Sequence, residues 1–187
     1  SDDAIENVAK HLRHLDGLIV HTSGAKPMSA LASVHNYGVF YPLQSFTKHV
    51  SVAMSEVPMC IEANSAQNLM TLQHLAEALS NKVFLIDSKQ RETLHLSAVF
   101  VNNFTNYMFT TAEDLCETNG IPFEVLFPLI QETAQKALNN SPYNNQTGPA
   151  KRGDQKTIEQ HLELLKDSNY RSMYEELTNQ IKQKYKP

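Results

Sequence analysis

Hydrophobic residues surround almost the whole circumference of one long predicted helix, and a narrow polar stripe interrupts them. Nothing between residues 88 and 119 breaks a helix. Ser88 can cap its start, and Gly120 with Pro122 supplies the stop. Because so much of its surface is apolar, the pattern predicts a buried helix. At about 100° per residue, the stripe contains His95, Asn102, Asn106 and Glu113, with Asn103 and Thr110 beside it.

A buried polar stripe must find hydrogen-bond partners or line a wet cleft. Two interpretations of this stripe follow. Its amides bond to the backbone of neighbouring elements in an ordinary core, or the stripe forms one wall of a site. The pattern alone leaves both open.

The first 86 residues mix helical periods with short apolar runs, which predicts an α/β block. An opening helix is expected around residues 5–15, and Ser65 can cap a second helix whose apolar positions are Leu69, Leu72, Leu75, Ala76 and Leu79. Four strands are predicted at residues 18–21, 38–41, 57–62 and 83–86. Pro58 marks the start of the third strand or an edge position in the sheet.

Residues 87–187 show helical patterns only, so we expect two domains, 1–86 and 87–187. After the long helix, residues 122–139 read as helical, with Pro128 forcing a start or a kink. A polar loop of residues 139–154 follows. Two terminal helices close the chain, one capped by Asp154 and one by Ser168.

Small polar residues follow the first predicted strand: His21, Thr22, Ser23 and Gly24. In open α/β sheets, ligands bind beyond the carboxyl ends of the strands, so this segment is a candidate site. The alternative is a polar loop that caps a short helix starting near Pro27.

The predicted loop of residues 139–154 is long for a compact domain, and such loops are commonly functional or disordered. Its small residues allow close backbone approach to a ligand, and the guanidinium of Arg152 suits a carboxylate or a phosphate. Asp154 is more simply explained as a helix cap.

The amino-acid composition and net charge of the chain argue against some kinds of binding partner. Hydrophobic residues make up 41% of the chain and charged residues 19%, and the formal net charge is −4. This mild acidity argues against a nucleic-acid partner. No apolar run is long enough to span a membrane and no secretory signal is visible, so a cytoplasmic protein is expected. Cys60 and Cys116 lack metal or redox spacing and are expected to be reduced thiols.

Several familiar motifs are missing from the sequence. Its six glycines form no Gly-x-Gly-x-x-Gly pattern. There is also no phosphate-binding P-loop and no Cys/His metal box, so no metal is expected. From the residues alone, the chain is an α/β layer plus a helical bundle, with a polar cleft between them.

Four motifs, taken together and in order, carry a family resemblance: His21-Thr-Ser-Gly24, Tyr41-Pro-Leu-Gln44, Arg91-x-x-x-His95 with Asn103-Phe-Thr-Asn106, and Gln146-Thr-Gly-Pro-Ala-x-Arg-Gly-Asp154. Over essentially its whole length the chain resembles an uncharacterised bacterial family of Rossmann-like proteins. These proteins carry a C-terminal helical domain of unknown function. They are related to pyrroline-5-carboxylate reductase, prephenate dehydrogenase and the F420-dependent NADP oxidoreductases.

The resemblance implies a fold. The chain would hold the second half of a Rossmann-like sheet, starting after its fourth strand. A helical domain similar to the C-terminal domain of 6-phosphogluconate dehydrogenase would follow, built on the long helix. The glycine-rich phosphate loop would precede the first residue of this chain. Relatives often dimerise through the helical domain, so a homodimer is expected.

The resemblance also implies roles for individual residues. The cofactor would be NADP or NAD, with its nicotinamide over Thr22, Ser23 and Gly24. His95 and Asn103 are the catalytic candidates, although the lysine–asparagine pair of the hydroxyacid dehydrogenases is not reproduced. Helical spacing favours Asn102, whereas the family motif favours Asn103. The expected substrate contacts are His21, Gln44, Asn106, Thr147 and Arg152.

Together these observations indicate an NAD(P)-dependent oxidoreductase. It would act on a small, anionic metabolite by hydride transfer in the cleft between the domains. The alternative is a non-catalytic nucleotide-sensing or binding module that dimerises through its helical domain. The residue that separates NADP from NAD follows the second strand of a Rossmann fold, which lies outside this chain.

Overall fold

The computed structural model describes residues 1–185, which form two compact units. The first is Ser1–Thr105 and the second begins at Asn106. The first unit contains a four-stranded sheet, and the second consists of helices. The predicted fold class, α/β followed by all-α, is confirmed. The domain boundary predicted after residue 86, where strand content ends, stays a prediction.

The sheet contains the four predicted strands with ends shifted by one or two residues: β1 (Ile19–His21), β2 (Tyr37–Pro42), β3 (Met59–Ala63) and β4 (Val83–Leu85). Their order in space is β1-β2-β3-β4. β1 and β2 are parallel, as are β3 and β4, whereas β2 and β3 are antiparallel. Because β3 has a neighbour on each side, the edge interpretation of Pro58 is wrong, and this proline instead precedes the strand.

The parallel pair of β3 and β4 requires a crossover, which is the helix α2 (Ala66–Leu79). Ser65 caps α2 as predicted, since its hydroxyl accepts a hydrogen bond from the Asn68 amide at 3.2 Å. Only the face of α2 that meets the sheet is buried. Leu72 and Ala76 lie on that face, while Leu75 is half exposed. The main core cluster is Val57, Met59, Ile61, Leu72 and Ala76.

A smaller core cluster lies under the opening helix α1 (Ile5–His11), where Ala9 packs against Leu31 and Val34. Leu31 ends a 3-10 helix, Met28–Leu31, which lies between β1 and β2. The short helix expected near Pro27 is therefore present. This connection directs the chain from the end of β1 back to the start of β2.

The long predicted helix consists of three consecutive segments: α3 (Ser88–Ala98), a π-helical turn (Val99–Phe104) and α4 (Thr105–Thr118). Its cap is Asp87 and not Ser88. The Asp87 carboxylate accepts from the Gln90 amide at 2.8 Å, and the Gln90 side chain accepts from the Asp87 amide at 3.0 Å. This is a capping box, and Ser88 is the first helical residue.

The prediction that this helix is buried is wrong for the described chain. Phe100 is 60% exposed and Val101 is 75% exposed, and the other large exposed residues on these segments are Leu96, Phe104, Tyr107, Phe109 and Leu115. An apolar circumference predicts burial only if other elements cover it, and here too few do.

The second unit continues with a 3-10 turn (Phe123–Leu126) and α5 (Phe127–Asn139), which has Pro128 in its first turn as predicted. The expected loop of residues 139–154 instead contains two short helices, α6 (Pro142–Asn145) and α7 (Pro149–Arg152). Then come α8 (Gln155–Leu164) and α9 (Arg171–Lys184).

The two predicted caps of the terminal helices have different outcomes. Asp154 caps α8, with its carboxylate accepting from the Thr157 amide at 3.1 Å. Ser168 does not cap α9, because its hydroxyl accepts from the Tyr170 amide and the helix begins only at Arg171.

Candidate functional site

The segment after β1 is a tightly bonded loop. The Ser23 amide donates to Nδ1 of His21 at 3.2 Å, so Nε2 of the same ring carries the proton and faces the Pro27 carbonyl at 3.3 Å. The Ser23 hydroxyl accepts from the amides of Ala25 and Lys26 at 3.2 and 3.0 Å. His21 and Ser23 are both buried, so these bonds fix the shape of the loop from inside.

Burial lowers the pKa of His21 below its ordinary value of 6.5, and the nearby positive charge of Arg91 lowers it further. The Pro27 carbonyl and the carboxylates of Asp2 and Glu62 act in the opposite direction. The ring is therefore neutral at pH 7, which matches its role as an acceptor from the Ser23 amide.

Helix α3 holds the same loop from outside. The Ser88 hydroxyl accepts from the Met28 amide at 2.8 Å, and Nη2 of Arg91 donates to the Lys26 carbonyl at 2.7 Å. Both side chains also bond to one carboxylate oxygen of Glu62 on β3, each at 2.7 Å. Arg91 is only 1% exposed, so this ion pair is shielded from solvent.

One turn further along α3, His95 lies against Gly24 and Tyr41. The Tyr41 hydroxyl is 3.4 Å from Nδ1 of His95, and the two rings meet edge to face. A Cβ placed on Gly24 would lie 2.6 Å from Nδ1 of His95 and 2.9 Å from the Tyr41 ring. Only glycine allows the loop to approach these two rings so closely.

Tyr41 lies near the end of β2, opposite Cys60 in the antiparallel ladder. Burial raises the pKa of the Tyr41 phenol above its usual 10, and the neighbouring Cys60 thiol adds to this effect. The pKa of Cys60, which is 1% exposed, is likewise raised by burial. The phenol of Tyr41 is therefore a proton-bearing group at neutral pH.

Tyr41 and His95 line a cavity of about 650 Å³ within the first unit. The sequence-predicted residues Gln44 and Asn103 line it too, so three of the predicted site residues are brought together with Tyr41. Asn102, Ser45 and Ser97 supply further polar groups, and among residues 1–185 no Lys, Arg, Asp or Glu lines the cavity. Its apolar lining consists of Leu43, Leu94, Ala98, Val99 and Val101.

The π-helical turn explains why helical spacing favoured Asn102. Such a turn bonds residue i to residue i+5, which is equivalent to inserting one residue into an α-helix. Residues after the insertion are displaced by one position, so Asn103 takes the place relative to His95 that Asn102 would have in a regular helix. Both amides line the cavity.

A second cavity, of about 390 Å³, lies at the carboxyl end of β1. Thr22 and Ser23 contribute hydroxyls to it, and Ile19, Val20 and Leu31 contribute apolar surface. The predicted cofactor residues thus divide: Thr22 and Ser23 line this cavity, whereas Gly24 contacts the Tyr41 and His95 rings.

The remaining predicted substrate contacts lie in the second unit. Asn106 is exposed at the start of α4, and Thr147 and Arg152 are exposed in the segment that contains α7. The Arg152 amide bonds to the Gly148 carbonyl at 3.2 Å as part of α7. Their proposed role in substrate binding stays a prediction.

Sequence reasoning assigned no role in a site to Tyr41, Glu62, Ser88 or Arg91. Tyr41 and Arg91 belong to the family motifs. For Arg91 and Glu62, the sequence also contains a signal that could have indicated their roles. Arg91 precedes His95 by one helical turn and so shares its face. Glu62 is the one charged residue of the otherwise apolar β3, and a charge in such a strand requires a partner.

Within residues 1–185, no group of three or more His, Cys, Asp or Glu side chains is arranged to hold a metal ion. Over the same residues, no helix combines the length and the apolar character that crossing a bilayer requires.

The fold and the motifs now define the class of protein. Residues 57–181 match the family described as a domain of unknown function, DUF2520, and the chain belongs to this family. The predicted relationship to Rossmann-like oxidoreductases is confirmed.

Two solved structures are similar to the chain. The first is from Bacteroides fragilis and is provisionally named NADP oxidoreductase BF3122. It is 40% identical with a TM-score of 0.90, and the match covers 98% of this chain and 73% of that one. Protein TM1727 from Thermotoga maritima is 23% identical with a TM-score of 0.79, over 99% of this chain and 75% of that one, and shares the fold. No curated protein matches the chain.

Proposed function

We propose that the protein is an NAD(P)-dependent oxidoreductase that reduces or oxidises a small metabolite by hydride transfer. The observation that carries this proposal is the cluster of Tyr41, His95 and Gly24 at a cavity that Gln44 and Asn103 also line. Similarity to a protein named as an NADP oxidoreductase supports it and favours NADP over NAD.

In this proposal, His95 is the acid/base group and Tyr41 sets its protonation. The phenol keeps its proton at neutral pH because burial raises its pKa, so it donates to Nδ1 of His95. A neutral imidazole carries one proton, which then lies on Nε2. During reduction Nε2 gives this proton to a carbonyl oxygen or imine nitrogen while the Tyr41 phenol passes its own proton to Nδ1, so the ring stays neutral; oxidation runs both transfers in reverse.

The cavity lining favours a substrate whose bound part is uncharged. Amides from Gln44 and Asn103 orient a carbonyl or imine group, and the aliphatic side chains contact a short hydrocarbon portion. The lining supplies no cation, so a carboxylate on the substrate would need a group from elsewhere. Arg152 is the residue that we propose for it, with Asn106 and Thr147 as further polar contacts.

The segment after β1 fits one end of the cofactor. A nicotinamide has a flat ring and a carboxamide, and the cavity beside Thr22 and Ser23 combines apolar walls with hydroxyls. Among residues 1–185, no Lys or Arg side chain lines that cavity and Asp2 adds a negative charge, so it does not fit the pyrophosphate. NADPH supplies the hydride for reduction when bound, and NADP⁺ accepts it in oxidation. The residues of this chain orient its ring and hold the proton that accompanies the hydride.

We also propose that the protein is a homodimer that assembles through its helical unit. The second unit exposes Val125, Phe127 and Leu129 by 67%, 52% and 59%, and large exposed apolar side chains favour contact with another protein surface. A symmetric contact would place the same residues of two copies against one another. Sedimentation at micromolar concentration tests this, and a single monomeric species would exclude it.

The central experiment uses the complete gene product. NADPH is titrated by fluorescence, and its oxidation is then followed with a panel of carbonyl and imine compounds. We expect His95→Ala to lower kcat by about 10²–10⁴-fold while the Kd for NADPH changes by a few fold at most. Tyr41→Phe should lower kcat less, because it removes only the partner of Nδ1.

The matched control is His74→Ala, which removes an exposed histidine of α2 and should leave turnover unchanged. Absence of NADPH binding at millimolar concentration would refute the cofactor proposal. Tight NADPH binding without oxidation across the whole panel would instead support the alternative, a nucleotide-sensing module.

A further inference from the structure

The loop of residues 22–28 runs antiparallel along one face of α3 and contacts it at three matched positions. Met28 bonds to Ser88, Lys26 bonds to Arg91, and Gly24 packs on His95. The loop and the helix face are therefore complementary along their length.

A single carboxylate, that of Glu62, joins these loop–helix contacts to the sheet. The one proton of the Ser88 hydroxyl goes to Glu62 at 2.7 Å, and the same oxygen of Glu62 accepts from Nη1 of Arg91 at 2.7 Å. Met28 therefore donates to a hydroxyl whose orientation Glu62 fixes. Arg91 is buried and these bonds share atoms, so each bond reinforces the others.

The loop is also closed internally by His21 and Ser23, so its backbone has little freedom to deform locally. Displacement at Met28 or Lys26 therefore moves Gly24 as well. Since Gly24 is packed tightly against both rings, such a movement changes the distance between Tyr41 and His95.

We infer that Ser88 and Arg91 are positioning residues that act through the 22–28 loop to set the contact between Tyr41 and His95. This inference rests on the proposed function, in which that contact prepares His95 for proton transfer. Neither Ser88 nor Arg91 touches the reacting atoms. Each acts by holding the backbone to which Gly24 belongs.

The first test needs no cofactor and no substrate. Imidazole nitrogen signals of His95 are recorded by NMR in the wild type, Ser88→Ala, Arg91→Lys and Tyr41→Phe, together with amide hydrogen exchange of Ala25, Lys26 and Met28. We expect faster exchange in both positioning variants and a shift of the Nδ1 signal of His95 toward its position in Tyr41→Phe. Faster loop exchange with an unchanged His95 signal would overturn the inference.

Ser88→Thr and Thr93→Ala make this test specific. Ser88→Thr keeps the hydroxyl and should give the wild-type signals. Arg91→Lys keeps the charge near Glu62 but lacks the fork that also reaches the Lys26 carbonyl, so its signals should still differ from those of the wild type. Thr93→Ala is the control, because that hydroxyl bonds only to the Lys89 carbonyl within α3.

Turnover supplies the second readout. Ser88→Ala should lower kcat by about tenfold with KM and the Kd for NADPH nearly unchanged, because the loss concerns orientation and not binding. An unchanged kcat in a variant whose His95 signal has shifted would also refute the inference. If the wild type shows no turnover with any compound, the proposed function fails. The NMR comparison still decides whether Ser88 and Arg91 position His95 through the 22–28 loop.

Discussion

The two loops that the sequence marked as candidate sites are built in different ways. In the 22–28 loop, side chains from β1 and α3 bond to the backbone, and the two anchoring residues on α3, Ser88 and Arg91, lie 60 and 65 positions away in the chain. In the segment of residues 139–154, bonds are local: Asn145 reaches the Lys136 carbonyl, Lys151 reaches the Gln146 carbonyl, and Asp154 reaches Thr157.

This difference separates two kinds of binding surface. A loop held by distant elements keeps its shape before any ligand arrives, which suits a catalytic contact that tolerates little error. A segment whose hydrogen bonds are local opens at lower cost and can adapt around a ligand, although the Tyr143 ring of the second segment also stacks on Tyr185. We therefore expect changes in the first loop to affect kcat and global stability, whereas changes in the second should affect the KM for substrate more than kcat and cost little stability.

The largest effect is expected from Gly24→Ala. Its methyl group would lie 2.6 Å from Nδ1 of His95, so the loop or the two rings must move. Misplacement of about 1 Å costs roughly 100-fold in rate, and kcat should fall by this factor. Gly17→Ala, where no atom lies within 4 Å of the new methyl, should behave as wild type. Equal activities of the two variants would contradict the proposed site.

The next effect concerns stability. Arg91→Met leaves the Glu62 carboxylate and the Lys26 carbonyl without their partner, and breaking a buried ion pair costs about 3 kcal/mol or more. Arg152→Met removes an exposed guanidinium from the second loop and should cost less than about 0.5 kcal/mol. Urea unfolding of both variants measures the difference, and similar costs would erase the distinction between the loops.

A pH dependence should also distinguish the first loop. The pKa of His21 is lower in the folded protein than its ordinary value of 6.5, so the unfolded chain binds this proton more readily. The contribution is fully present above about pH 6.5 and is lost as pH falls through this value toward the folded pKa. His21→Gln should reduce the loss of unfolding free energy between about pH 7.5 and 5.5. An unchanged pH slope would exclude His21 as its source.

The smallest effect is expected at Asp154. Hydrogen bonds from Thr157 lower the pKa of this carboxyl below 3.8, so its stabilisation persists above that pH and is lost only as pH falls below it. Asp154→Ala should lower the melting temperature slightly at pH 7, and Asp154→Asn should recover most of the loss because asparagine is also a good cap. Equal melting temperatures for both variants would show that the cap does not stabilise α8.

The elements of the fold were predictable because each has a local signal. Strand positions followed from apolar runs, and Ser65 and Asp154 cap the helices where their side chains indicated. Ser88 shows where local signals fail. Its hydroxyl suits a helix cap, but Asp87 next to it forms a full capping box, which leaves Ser88 free for contacts that depend on tertiary structure.

The candidate site was predictable only in part, for similar reasons. His95, Gln44 and Asn103 were singled out as residues of suitable chemistry within motifs. The importance of Tyr41 and Gly24 depends on a contact between residues more than fifty positions apart, which no spacing rule reveals. No sequence pattern predicts the π-helical turn either. It changes the direction in which every side chain of the helix after Ala98 points.

The rate at which the Cys60 thiol is labelled measures how often this part of the sheet opens. Cys60 lies on β3 between Tyr41 and Phe84, is 1% exposed and has a raised thiol pKa, so a thiol reagent reaches it only when this part of the sheet opens. Cys116 is partly exposed and serves as the internal reference for reagent strength. The ratio of the two labelling rates therefore reports how often the sheet opens around β3, in the native protein and without any substitution.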